Sequence, residues 1–182
     1  MSKPFIPLLS RNEIPPEVLN ELDKYPPIHI YTALAYVPSC CKPWLDLIKG
    51  IYESGLDVRI REIAVCRIGY LTKSAYELHQ HHFIALKNGV TEEEFKTITT
   101  ENPVYSLDEA GNFICKVIDE LEKMATLSDE TLVELKRHYS IKEIVAMSIA
   151  FSTYCAVGRI TNMLRLEIEE SNPLQGYKGF AK

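Results

Sequence analysis

Along PWLDLIKGIYESG, Trp44, Leu45, Ile48, Ile51 and Tyr52 return every three or four residues, which puts them on one apolar helix face. Pro43 suits the first turn of such a helix and Gly55 its C-terminal stop. In the next run, VRIREIAVCRIGYL, Ile60, Ile63, Ala64, Arg67 and Ile68 keep the same spacing. Its β-branched residues leave a strand open, but length and periodicity agree on a helix. Start signals then repeat: Ser74 with Glu77, Thr91 with Glu94, Ser106 with Glu109 and Ser140 with Glu143 all have capping-box spacing. In each, a hydroxyl can satisfy an N-terminal amide of the helix while the acid reaches back. FICKVIDELEKM and IVAMSIAFSTYCAVGRITNMLRLEI supply long helical stretches between and after them. The second is apolar on most sides until Arg159, which points to a central position or a subunit contact. No alternating run of strand type competes. The pattern predicts an all-α protein whose central hairpin pairs residues 58–71 with residues 74–88.

Proline divides the chain further. Eight prolines, from Pro4 to Pro43, crowd the beginning, and the next is Pro103, so the interval between can hold uninterrupted helices. At 182 residues the chain suits one domain. The expected division is a proline-rich segment over 1–30, a helical domain over 31–170 and an irregular tail over 171–182. The residues are 46% hydrophobic and 25% charged, a globular balance. The formal charge of −5 argues against non-specific nucleic-acid binding, which needs a field of Lys and Arg, and leaves a small molecule as the expected partner. No apolar run approaches the roughly 20 residues of a membrane span, and MSKPFIPLLSRNEIPPEV lacks the apolar stretch of a signal peptide. A cytoplasmic location without membrane contact is therefore expected. The five cysteines show no CxxC spacing, and free thiols buried as small hydrophobes are expected.

The chemistry concentrates between Arg59 and Val90, where Glu62 stands on one helix and Glu77, His79, His81 and His82 on the next. Residues three or four apart share a helix face, so Glu77 lies with His81 while His79 and His82 project elsewhere. Glu62 and Cys66 likewise share a face. An antiparallel pairing of the two helices brings a carboxylate, a thiol and an imidazole toward one pocket. Histidine titrates near neutral pH, and a neighbouring carboxylate can fix its tautomer and raise its basicity. The capping spacing assigns Glu77 to the helix start first and to chemistry second. HQHH lacks HExxH spacing, and Glu77 with His81 would supply two ligands only, so neither a metal nor a cofactor is expected.

REIAVCRIGYLTKSAYELHQHHFIALKNGVTEEEF resembles the signature of the carboxymuconolactone decarboxylase family. Its elements here are Arg61 and Glu62, then Tyr76, Glu77 and Leu78, then His81, then Ala85, Gly89 and Val90. The likeness extends over about Tyr31 to Leu166 and implies an alkylhydroperoxidase D-like helical bundle that forms homo-oligomers. Related alkylhydroperoxidase D proteins use a Glu, a CxxC pair and a His. The resemblance matches that Glu to Glu62 and that His to His81, but the cysteine positions fall on Ser74 and Glu77, which removes the disulfide chemistry.

The reading that follows is a cofactor-independent decarboxylase or isomerase acting on a small carboxylated oxo- or lactone metabolite. His81 is its acid–base group and Glu62 the orienting partner, while Arg67, Arg159 and Tyr76 are the substrate-binding candidates. The rivals are a peroxidase using Cys66 alone and a non-catalytic ligand-binding oligomer.

Overall fold

The computed structural model describes residues 5–171, 173 and 174. Among them it contains nine helices and no strand: α1 Pro16–Leu22, α2 His29–Leu34, α3 Pro38–Glu53, α4 Val58–Leu71, α5 Ala75–Lys87, α6 Glu92–Thr100, α7 Glu109–Met124, α8 Asp129–His138 and α9 Ile141–Leu164.

The fold is organised around α4. Every residue from Ile60 to Gly69 is buried, because α5, α6, α7 and α9 pack around it on all sides. Continuous burial explains why its sequence lacks a clean polar face. It also explains how β-branched residues stay helical: tertiary packing outweighs a propensity cost of a few tenths of a kcal/mol per residue. Asp57 caps α4 by accepting from Ile60 N at 2.9 Å.

Three α9 contacts hold the turn from α4 to α5. Asn162 Nδ2 donates to Thr72 O at 2.6 Å, the Ser74 and Thr161 hydroxyls lie 2.9 Å apart, and Gly158 lets Thr72 approach the helix. A Cβ on Gly158 would stand 2.6 Å from Thr72 Oγ1. Gly158→Ala should therefore destabilise the fold by about 1–3 kcal/mol, the usual cost of overpacking. A urea melt indistinguishable from wild type would show that the turn yields freely.

Several expected boundaries move. α3 begins at Pro38, so Pro43 lies inside the helix rather than in its first turn. Thr91 with Glu94 and Ser140 with Glu143 form complete capping boxes, whereas α7 is capped by Asp108, which accepts from Gly111 N at 2.7 Å. Ser106 instead donates its amide to Glu101 Oε2 at 3.2 Å. The boundary expected at residue 30 falls within α2, and Ile14, Val18 and Ile28 before it belong to the common core. Only residues 171, 173 and 174 of the expected tail are among those described.

α9 ends earlier than its apolar pattern suggests. Arg165 takes a left-handed conformation at φ 49°, the last carbonyls are closed off, and residues 165–170 turn back across the bundle. By length and composition α9 could cross a membrane, with a mean hydropathy of 1.4 over its most apolar window, but half of that window is buried in the bundle. In the sequence the run is bounded by Glu143 and Arg159, which leaves 15 uncharged residues, short of a membrane span.

Candidate acid–base site at a buried cavity

Because α4 and α5 run antiparallel from a pinned turn, the middle of one faces the middle of the other. Glu62 and His81 meet there at 0% and 5% exposure, with His81 Nδ1 2.7 Å from Glu62 Oε2. A carboxylate accepts, so Nδ1 carries the proton and Nε2 is the atom left for chemistry. Arg61 Nε donates to Glu62 Oε1 at 2.9 Å, and its guanidinium lies 3.8 Å over the ring centre of Tyr52. The His81 imidazole meets Tyr154 of α9 edge-on, with ring centres 5.0 Å apart.

The electrostatics follow from this packing. Burial alone would raise the Glu62 carboxyl, but the charge and hydrogen bond of His81, assisted by Arg61, hold it below the usual carboxylate range. Burial alone would lower His81, yet Glu62 outweighs it and the imidazole is raised above its ordinary value.

Glu77 departs from its expected role. Ser74 does cap α5, accepting from Glu77 N at 3.2 Å, but the Glu77 side chain turns inward instead of closing a capping box. It is 5% exposed, and its Oε2 lies 3.9 Å from His81 Nε2, opposite Glu62. Burial raises its carboxyl from 4.5 to about 7, with Glu62 and Glu169 pushing the same way against His81. Two carboxyls thus flank one imidazole, and their surroundings drive their acidities apart, an arrangement suited to assigning separate acid and base roles.

The raised pKa of Glu77 has a sign in stability. Between about pH 4.5 and 7 the folded chain keeps a proton that the unfolded chain has released. The contribution of this group is therefore present at low pH and lost as pH rises through its folded value. At about 1.4 kcal/mol per unit, ionising Glu77 costs on the order of 3 kcal/mol. Glu77→Gln cannot ionise, so on going from about pH 5 to about pH 8 it should gain up to about 3 kcal/mol relative to wild type. Parallel urea melts at the two pH values check this, and a constant difference between the two proteins would mean that the carboxyl ionises as freely as in water.

These side chains border a cavity of about 250 Å³ between α2, α3, α5 and α9. Its walls are mainly apolar, with Tyr31, Trp44, Tyr52, Tyr76 and Tyr154 around a polar end formed by Arg61, Glu77, Gln80 and His81. The exposed Val58, Phe83 and Lys87 stand at its rim. Glu169, carried back by the segment after α9, buttresses the polar end. Its Oε1 accepts from Tyr76 Oη at 2.6 Å and from His29 N at 2.5 Å, and its Oε2 accepts from Gln80 Nε2. Among the described residues no group of three His, Cys, Asp or Glu side chains forms a metal-holding arrangement.

The remaining sequence candidates separate. Tyr76 lines the cavity, but its hydroxyl is engaged by Glu169 and by Ile30 N at 3.3 Å. Arg67, expected to hold substrate, is fully buried on another face of α4. It pairs with Asp119 at 2.6 and 3.0 Å and donates to the carbonyls of Ile98 and Glu101. Arg159 is exposed and pairs with Glu122 at 2.9 Å. Neither lines the cavity, so both are corrected from substrate-binding to structural positions, and Arg61 is the guanidinium in the wall. Cys66 is fully buried, its Sγ lies 4.0 Å from the carbonyl of His81, and burial followed by the Glu62 charge pushes its thiol well above the usual value. It does not line the cavity. His82 pairs with Glu92 at 2.8 Å and His79 packs edge-on against Phe83, so the three histidines serve three separate environments.

Sequence reasoning missed Tyr52, Gln80, Tyr154 and Glu169. For Gln80 a signal existed, since it lies three residues beyond Glu77 on the same helix face. Glu169 had none, because only the left-handed residue at 165 brings it back.

Fold and site together define an all-helical protein with a buried carboxylate–imidazole pair at the end of an apolar cavity. Residues 42–120 match the Carboxymuconolactone decarboxylase family. The matched stretch contains Glu62, Glu77 and His81. A protein of unknown function from Agrobacterium tumefaciens, described as a putative antioxidant defence protein AhpD, shares the fold. The TM-score is 0.68 at 22% identity, over 76% of this chain and 97% of that one. An uncharacterized peroxidase-related protein from Silicibacter sp. TM1040 also superposes, with a TM-score of 0.77 at 14% identity over 97% of this chain and 98% of that one. No curated protein matches the chain.

Proposed function

We propose that this chain is a cofactor-independent proton-transfer enzyme of the decarboxylase or isomerase type, acting on a small oxo- or lactone-bearing metabolite. The observation that carries the reading is the 2.7 Å contact of His81 Nδ1 with Glu62 inside a cavity wall. With Nδ1 held, Nε2 can take a proton from carbon beside a carbonyl and return it, while Glu62 offsets the imidazolium that forms. The apolar walls exclude water and strengthen that coupling. A substrate carboxylate, where there is one, would lie toward Arg61 rather than Arg67 or Arg159.

The test is solvent exchange at an activated C–H. Incubated in D₂O with 2-indanone as a ring-ketone probe, the protein should hasten loss of the α-proton signal by NMR. No acceleration with this ketone or with a panel of small ring ketones and lactones would overturn the reading.

An antioxidant reading draws its support from the descriptions of the two solved structures. Against it stand the burial of Cys66 and the suppressed formation of its thiolate, which is the reactive form. Cys66→Ser should leave ketone exchange intact. Loss of a measurable hydroperoxide reduction in that variant would favour the antioxidant reading.

Homo-oligomer formation belongs to the same proposal. α9 leaves Ile141, Val145, Ile149 and Met163 exposed along its outer side, an apolar stripe suited to burial against a second copy. Light scattering at micromolar concentration should give a small integer multiple of 20.8 kDa, and a monomer with full exchange activity would remove the claim.

A further inference from the structure

Beside Gln80, whose Oε1 is buried without a partner, Glu77 is the unpartnered acid in the cavity wall. It is 5% exposed and lines the cavity, yet among the described residues no hydrogen bond reaches its carboxyl oxygens. Its nearest charged partner is His81 Nε2 at 3.9 Å, beyond direct hydrogen-bond reach and short enough for one oxygen to bridge. A buried carboxyl without a partner is costly, and a cavity that tolerates one commonly does so for a ligand.

We infer that the opening between Glu77 Oε2 and His81 Nε2 seats a substrate hydroxyl, and that the cavity takes a ring-bearing enol or phenol whose oxygen bridges the two side chains. This assignment rests on the acid–base reading for its purpose, although its test reads binding alone. Hydroxyl chemistry matches both sides of the gap. An O–H donates to one member of the pair and its lone pairs accept from the other, so the bridge forms whether the shared proton sits on the carboxyl or on the imidazole.

The same wall disfavours a carboxylate at this point. Glu62 and Glu169 already accompany Glu77 at the polar end, while the Arg61 guanidinium is engaged by Glu62 and stacked on Tyr52. A further anion between Glu77 and His81 would meet like charge in a poorly solvated place. Tyr31, Trp44, Tyr52, Tyr76 and Tyr154 offer ring faces and edges to a flat apolar body, which favours a ring over a flexible chain.

The experiment uses the full chain at neutral pH with three probes of one ring size: phenol, its methyl ether anisole, and benzoate. Binding is followed by isothermal titration and by the ¹⁵N shift of the His81 ring nitrogens. Phenol should bind saturably and about tenfold more tightly than anisole, the worth of one net hydrogen bond, and should move the Nε2 resonance. Glu77→Leu should remove the preference for phenol and leave anisole unchanged. Glu77→Gln, which keeps an acceptor and the shape, should retain part of it. Equal affinities for phenol and anisole in the wild-type protein, no saturable phenol binding, or a larger shift of the Nε2 resonance with benzoate than with phenol would each overturn the assignment. A protein that prefers phenol but exchanges no ketone proton would cancel the acid–base reading and keep the hydroxyl seat. Ketone exchange without the phenol preference would do the reverse.

Discussion

Asparagine in place of His81 should cut catalysed exchange of the ketone α-proton by about 10³-fold, within the range spanned by loss of a positioned general acid–base. Asparagine can still donate to Glu62 but carries no titrating nitrogen. Glu62 also keeps its 2.9 Å bond from Arg61, so the variant leaves no buried carboxylate without a partner. Glu62→Gln should act more mildly on rate, because Nε2 stays in place while the raised basicity of His81 is lost. The paired measurement is exchange rate against pH for the three proteins. A His81→Asn rate within a factor of about three of wild type would mean that another group moves the proton.

Removing the Arg67 side chain should cost about 3–5 kcal/mol of stability, the range for breaking a buried ion pair from one side. Arg67→Ala strips Asp119 of two hydrogen bonds and leaves the carbonyls of Ile98 and Glu101 without their donor. These contacts tie α4 to α7 and to the end of α6, so the loss should appear as a lower urea midpoint. Arg67 faces away from the cavity, and exchange activity per folded molecule should stay unchanged. A loss below about 1 kcal/mol would show that water replaces the guanidinium at little cost.

The central hairpin and the meeting of Glu62 with His81 were legible in the chain. Local signals sufficed for this: a helical period through residues 58–71, Ser74 at the next start, and four-residue spacing that puts Glu77 and His81 together. The same local grammar misassigned Glu77. Capping-box spacing is satisfied by the Ser74 hydroxyl alone, and the choice between reaching back to the cap and turning into a cavity depends on what α9 and α2 place nearby.

Arginine was misread for a related reason. Arg61, Arg67 and Arg159 are equally good carboxylate ligands on paper, and only the packing of α7 against one side of α4 turns Arg67 toward Asp119 while Arg61 stays at the cavity. Glu169 and Tyr154 join the site from 93 and 102 residues beyond the residues they touch, Tyr76 and Tyr52. The sequence by itself determined the central helical hairpin and which residue types can exchange protons, because both follow from contacts within a few turns. The tertiary structure alone decided which acid is buried without a partner, which arginine lines the cavity and where α9 ends, since each depends on neighbours that come together only when the helices pack.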